Sequence, residues 1–441
     1  MTFEKLQAAC RAAGINEVEI YHVVQDGFSI STFNGEVDDN LVYHNNELYI
    51  RGVYNGHIAS VYVERDVDDE IDNVVSRLLA SASAIEVDDP YFIYGGSKEY
   101  VTLPESEHDF ANYTQEERIE FCRTMEKAIR ERTEYVQMTQ AQVQAEWTRV
   151  SIENSSGLSI SREGAQAAVV AVGVYAKDGD VKQGFYFDMV ENFSDIDFDK
   201  LCREAVDRPL ASIGAKSVPS RAYPVVFENK QFASLLSCFL SAISGEAVVK
   251  KVCLLADKLG EKVFGDNITI VDDPLCEKSY RKVTFDDEGV ATFKKTVVEK
   301  GVLKTFLHSL KTAKMLGAEP TGNGFKAGSG DIVVSPTNLV VECGEHSLEE
   351  VLAPIADGIY ITSMMGQHAG VNAVSGAFNL QASGFKITDG KLGEPITLFV
   401  VSGNIVDVLS NVVEIANDVE CGRGIVCGSA HIASLSISGQ A

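Results

Sequence analysis

Cys421, Cys427 and His431 follow one another in a C-x5-C-x3-H spacing, two thiols and an imidazole of the kind that bind zinc. A closed zinc site needs four ligands, and this spacing matches no standard zinc knuckle. With only one cysteine-rich half present, the trio reads as a structural thiol cluster without metal. A helical zinc peptidase site needs two histidines about one turn apart, with a glutamate beside them to activate water. The histidines stand at 22, 44, 57, 108, 308, 346, 368 and 431, and no two lie closer than thirteen residues. There is no G-x-S-x-G elbow, and Ser375-Gly376 and Ser429 read as turn serines in Gly-rich stretches. Gly322-Asn323-Gly324 lacks the Lys-Ser/Thr and the helix of a phosphate loop. Asp66, Asp68, Asp69, Glu70 and Asp72 crowd together without calcium-loop spacing and read as a solvated helix start. The chain carries no complete catalytic constellation of its own.

One stretch has the outline of a site without its side chains. Residues 234–251, SLLSCFLSAISGEAVVKK, read as a helix whose core stripe is Phe232, Leu236, Phe239, Leu240, Ile243 and Ala247. Beside that stripe run Ser234, Ser237, Cys238, Ser241, Ser244 and Gly245. Small side chains let a buried helix approach its neighbour closely. Cys238 lies among apolar residues and reads as packing, since buried thiols are inert.

Composition bounds the function classes. With 441 residues the chain exceeds one core, and 45% hydrophobic against 23% charged residues is ordinary for a globular protein. The formal net charge of -26, with no basic face, argues against nucleic acid and against anionic lipid. Nine cysteines in no framework of short spacings imply reduced thiols, hence a reducing compartment. The N-terminus has no apolar signal core, and runs such as AAVVAVGVYA are too short to span a bilayer. The expected location is the cytoplasm.

The elements that would position any site read as α+β. A short helix ends at Gly14, and residues 18–64 alternate as an antiparallel meander of four or five strands. Helices are expected from Asp69, over 114–132 with a capping box from Thr114 to Glu117, and over 195–215. Residues 87–112 read as an irregular loop, and two hairpins turn at Asn154–Gly157 and Lys177–Asp180. KSVPSRAYP reads as a boundary between an N-terminal domain, 1–216, and a strand-rich C-terminal domain, 217–441. There YPVVFEN is a strand, Asn229 caps the next helix, and Asp286–Gly289 and Glu299–Gly301 are hairpin turns.

The stretches FDDEGVAT (285–292), EKGVLKTFL (299–307), PTGNGFKAG (320–328) and SPTNLVVECG (335–344) resemble the TldD/PmbA family, also called the modulator of DNA gyrase family. Residues 371–396 and 401–420 and the closing CGS (427–429) continue the resemblance, which runs through essentially all of 220–441; in the N-terminal part it is looser. The resemblance implies a barrel-like C-terminal domain with a buried helix. The family's TldD branch looks like a zinc peptidase, with a His-Glu, a second His five residues after the first, and a Cys-Gly near the C-terminus. The PmbA branch, also called TldE, lacks the histidines, and here Leu240, Ser241 and Gly245 stand at the His, Glu and His positions, with Cys427 at the Cys-Gly. That implies a non-catalytic subunit, with no cofactor of its own, paired in the cytoplasm with a zinc-bearing TldD-type subunit. The pair would act in proteolysis or maturation of unfolded peptides. An extended peptide is expected along long C-terminal strands, where Ser375, Gly376, Phe378 and Asn379 allow close backbone approach, although a barrel corner or bulge also wants glycine there. Two other readings stay open. One is a self-sufficient peptidase, homodimeric when alone, using Cys427 with His368 or His431. The other is a peptide-binding scaffold with no peptidase partner.

Overall fold

The computed structural model describes residues 2–64, 68–86, 92–104, 110–327 and 330–440; His108, Asp66 and much of the loop expected over 87–112 lie outside them. The chain forms two compact units, neither contiguous in sequence. The first is Met1–Leu210 with Val283–Thr292 and Ala313–Val333, so two segments from beyond residue 217 belong with the N-terminal sheet. The second is Ala211–Lys282, Phe293–Thr312 and Val334–Ala441.

The first unit is built on six strands, β1 (Glu17–Phe33), β2 (Glu36–Tyr54), β3 (His57–Val63), β4 (Val136–Asn154), β5 (Ser159–Lys177) and β6 (Asp180–Val190), in the order β3-β2-β1-β4-β5-β6. Residues 18–64 make three strands where four or five are expected. The chain turns at Asn34-Gly35 and Asn55-Gly56, both with positive φ. The other two turn signals run inside long strands. Asp26 sits directly across from His44, and Gly27 across from Tyr43, whose ring occupies the space a Cβ at Gly27 would fill. Cross-strand pairing therefore overrides local turn preference there.

Helices α1 (Phe3–Ala12) and α2 (Ile71–Ser83) cover Leu48, Ile50 and Val61, while α3 (Gln115–Arg132) covers Ile30, Val143 and Val169. α3 opens with the expected capping box: Thr114 Oγ1 accepts the Glu117 N–H, and Glu117 accepts the Thr114 N–H. The helix expected over 195–215 is broken into Phe198–Cys202, a π turn at Arg203–Asp207, and Arg208–Ala211. Four residues past Ala205 stands Pro209, which has no N–H to give. The Tyr175 hydroxyl, from β5, donates to the Ala205 carbonyl instead.

The segments 283–292 and 324–326 bring a polar cluster to the sheet. Asp287 accepts from the Tyr21 hydroxyl at 2.8 Å and from Arg162 at 2.7 Å. The Lys326 N–H also donates to Asp287, and the Lys326 ammonium lies 4.9 Å from the ring centroid of Tyr21 and 5.0 Å from that of Tyr49. Burial pulls the Lys326 amine down to about 8. The unfolded chain then binds more protons than the native one above pH 8, so this group makes stability rise with pH. That holds up to about pH 10, where the unfolded tyrosines begin to ionise while Tyr49, pushed up to about 12, stays neutral and reverses the trend. Lys326→Met is expected to flatten the rise between pH 8 and 10 in a urea-midpoint series; an unchanged slope would mean the ammonium is not buried.

The second unit holds a closed five-stranded barrel. Arg221–Phe227 pairs in parallel with Asp357–Met365 and antiparallel with Ala430–Gly439. Asp357–Met365 pairs with Ala377–Thr388, that strand with Lys391–Asn404, and Lys391–Asn404 returns to Ala430–Gly439, which completes the ring. Side chains such as Val225, Ile359, Leu380, Val401 and Ile432 fill its core, as a barrel this narrow requires. A second sheet includes Ile270–Asp272, Lys295–Glu299, Leu339–Val341 and Ile425–Cys427. The buried helix α4 (Asn229–Ser237) contributes Phe232, Ala233, Leu235 and Leu236 to the barrel's core cluster. Asn229 is its first residue rather than its cap; Ser429 Oγ, held by Asp418, accepts the Asn229 N–H from across the fold. Among the described residues, no helix is long and apolar enough to cross a membrane.

Candidate functional site

The helix expected through residues 234–251 stops at Ser237. A 3-10 turn covers Leu240–Ile243, Ser244 is extended, and a short helical turn resumes at Gly245–Val249. Backbone pairing with a distant segment causes the break. The Gly245 N–H donates to the Leu307 carbonyl at 2.8 Å, and the Leu307 N–H donates to the Ile243 carbonyl at 2.8 Å. A helix through these residues would spend those groups on itself. The small side chains therefore do not form one continuous helical stripe.

Gly245 has a steric reason. A Cβ there would run into the His308 imidazole, 2.7 Å from its Cε1, and would lie 2.9 Å from the Leu307 carbonyl oxygen. His308 is buried, its Nδ1 lies 3.4 Å from Thr312 Oγ1, and burial lowers its pKa, which keeps the ring neutral. An imidazole thus fills the space beside position 245, supplied by another segment. Leu240 packs against the barrel's core cluster, and Ser241 Oγ is shielded from solvent with no hydrogen-bond partner among the described residues.

Cys427 is fully buried on Ile425–Cys427; its thiol donates to the Asn229 carbonyl at 3.4 Å, and burial pushes its pKa well up. The set Leu240, Ser241, Gly245 and Cys427 thus offers one protonated thiol, one hydroxyl and no imidazole or carboxylate. It does not fit zinc, which takes thiolate, imidazole and carboxylate donors in a tetrahedron. The described residues contain no group of three histidine, cysteine or acidic side chains that could hold a metal. In the hairpin of Glu420–Gly422 with Ile425–Cys427, Cys421 lies across from Val426 and Cys427 across from Glu420. The two thiols therefore point to opposite faces. His431 lies on a barrel strand across from Val226 and Glu414, its pKa lowered by burial against the pull of Glu414. His368 sits on the short helical turn Gln367–Gly370.

Ser375 and Gly376 form a tight hairpin corner. Asn372 Oδ1 accepts the N–H groups of Val374 and Ser375, and Gly376, at φ +78, donates to the Asn372 carbonyl at 2.9 Å. Phe378 is buried in the core and Asn379 is exposed, so the strand turns them to opposite faces.

Sequence reasoning assigned no role to His308 and did not pair Asp272 with Lys295. The Asp272–Lys295 ion pair is buried, at 2.9 Å. The one local signal near His308 was the Ser309-x-x-Thr312 spacing that flanks the helix Leu310–Leu316.

Three family descriptions match successive stretches of the chain: PmbA/TldA metallopeptidase domain 1 over residues 18–82, its central domain over 108–213 and its C-terminal domain over 220–439. The chain belongs to the PmbA/TldD family. Metalloprotease PmbA of Escherichia coli O157:H7 is 27% identical over 285 residues, 64% of this chain and 60% of that protein. The PmbA homolog of Haemophilus influenzae is 32% identical over 231 residues, 52% of this chain and 49% of that protein. The chain thus spans about half to three-fifths of the curated relatives it matches. A solved chain from Thermotoga maritima, described as a modulator of a DNA gyrase, is 28% identical with a TM-score of 0.91, covering 99% of both chains. TldE from Thermococcus kodakarensis, at 24% identity, shares the fold with a TM-score of 0.91, covering 99% of this chain and 100% of that one. Positions 240, 241 and 245 thus lie in a chain whose family carries a metallopeptidase name.

Proposed function

We propose that this chain is the non-catalytic, PmbA/TldE-type subunit of a cytoplasmic peptidase complex. Its partner is a TldD-type subunit that holds the zinc, and the complex trims or degrades unfolded peptides. The observation that carries the reading is the occupied space at Gly245: His308 packs where a ligand side chain would have to begin. The donor set left at Leu240, Ser241 and Cys427 cannot complete a tetrahedral site. A protein that keeps the family's fold while filling the metal position with packed side chains serves the reaction by binding rather than by chemistry. The acidic charge of -26 supports a partner and substrate that are polypeptides and not nucleic acid.

The test is metal content by mass spectrometry on protein purified without chelator, with peptidase assays on the chain alone and mixed with a TldD-type protein. The expected result is less than about a tenth of an equivalent of zinc, and activity only in the mixture. Near one equivalent of zinc with activity alone would overturn the reading in favour of a self-sufficient peptidase. No activity in the mixture, and no complex on sedimentation, would leave a scaffold.

A further inference from the structure

Strand β2 has one open side along half its length. β1 pairs with it from Glu36 to Val53, but β3 pairs only with Leu48–Tyr54. Among the described residues, no strand pairs with the other edge of Glu36–Glu47. Both faces of this segment are open as well. Val42 is 70% exposed on the face it shares with Phe28, and Leu41, on the opposite face, is 50% exposed. Open edges of this kind are pairing templates, because alternate residues turn their N–H and C=O groups outward.

The edge is also strongly acidic. From Ile15 to Ile50 the sequence contains no lysine or arginine, while the free edge carries Glu36, Asp38, Asp39 and Glu47. The two arginines that reach the hairpin turn are engaged there: Arg123 with the Gly35 carbonyl, Arg130 with Asn34 and Thr139. A second copy of the same edge would set these acids against their own kind, which disfavours self-pairing. A folded partner needs roughly 1,200 Å² or more of buried surface, whereas this strand divides its apolar side chains between two faces. A single extended chain suits it better, since one strand contacts both faces at once.

We infer that the open edge of β2, from Glu36 to Glu47, binds an extended, lysine- or arginine-rich segment of an unfolded client polypeptide by strand addition. Backbone hydrogen bonds hold the segment, so its sequence is read weakly. Val37, Leu41 and Val42 meet its apolar side chains, and Asp38 and Asp39 select for basic ones. A segment of about twelve residues, about 40 Å long, fills the edge. The surface lies in the first unit and does not depend on whether positions 240, 241 and 245 hold a metal.

The test uses the full chain and a capped ten-residue peptide of alternating lysine and valine, followed by fluorescence anisotropy and by hydrogen exchange. Saturable binding that weakens with salt is expected, with exchange protection confined to Asp38–Glu47. N-methylation of alternate peptide residues removes the backbone donors and should abolish binding, and a glutamate–valine peptide should not bind. Asp38→Lys with Asp39→Lys, both exposed, should weaken the lysine peptide about tenfold. Equal binding of the methylated or acidic peptide would overturn the proposal, as would protection elsewhere in the chain. Absence of binding would mean that the acids only guard the edge against aggregation. Protection of the same amides that grows with protein concentration, without peptide, would assign the edge to a second copy.

Discussion

Asp272→Ala is expected to lower the stability of the second unit by about 3–5 kcal/mol, the scale for removing one partner of a buried ion pair. Asp272 is fully buried; one carboxylate oxygen faces the Lys295 ammonium at 2.9 Å. The other accepts from the Thr337 N–H at 2.7 Å, the Thr337 hydroxyl at 2.7 Å and the Asn338 N–H at 3.1 Å. The substitution strands a buried ammonium and three donors at once. Lys295→Met should cost less, because the remaining carboxylate keeps its three donors. The double variant Asp272→Val with Lys295→Met should recover only part of the loss, since an apolar pair replaces the charges but leaves Thr337 and Asn338 unsatisfied. Urea unfolding followed by circular dichroism measures the loss, and hydrogen exchange at Ile270–Asp272 and Leu339–Val341 locates it. Full recovery in the double variant would show that the three backbone and hydroxyl donors are indifferent to the loss.

Installing a zinc motif by Leu240→His, Ser241→Glu and Gly245→His should yield no metal binding and a badly destabilised protein. At Gly245 even alanine places its Cβ against the His308 ring and 2.9 Å from the Leu307 carbonyl oxygen, which already accepts the Gly245 N–H. Relief requires moving either a buried ring or a backbone hydrogen bond, so Gly245→Ala alone should cost about 1–3 kcal/mol. Leu240→His would in addition bring a polar ring against the core cluster. A double-mutant cycle separates the causes: His308→Ala combined with Gly245→Ala should cost less than the sum of the two, because the smaller residue vacates the clash. Strict additivity would show that the ring is not what excludes a side chain at 245. One equivalent of zinc in the triple variant, by mass spectrometry, would show that the site is empty rather than filled.

Several features were legible in the residues because they depend on local chemistry alone. The capping box at Thr114 and Glu117 and the hairpin turn at Asp178-Gly179, with its positive φ values, both rest on neighbours in sequence. That Leu240 and Gly245 carry no metal-binding group was equally plain from their residue types. The strand count of the first meander failed because Asp-Gly at 26–27 and Asn-Asn at 45–46 are turn formers only until a partner strand claims their backbone.

The sequence by itself determined that Leu240, Ser241, Gly245 and Cys427 offer a metal no more than one thiol and one hydroxyl. It also determined the antiparallel strands of the first sheet, which alternate and turn at Asn-Gly and Asp-Gly pairs. Only the tertiary structure decided why those positions are filled as they are. His308 lies more than sixty residues from Gly245, and Leu307 breaks the expected helix through hydrogen bonds that no local pattern encodes. The barrel closes by the parallel pairing of Arg221–Phe227 with Asp357–Met365, and Ser429 caps a helix that begins at Asn229. Each of these is a contact between segments distant in the chain. Such contacts are chosen by packing and backbone pairing over the whole unit, and propensity at one position carries little of that choice.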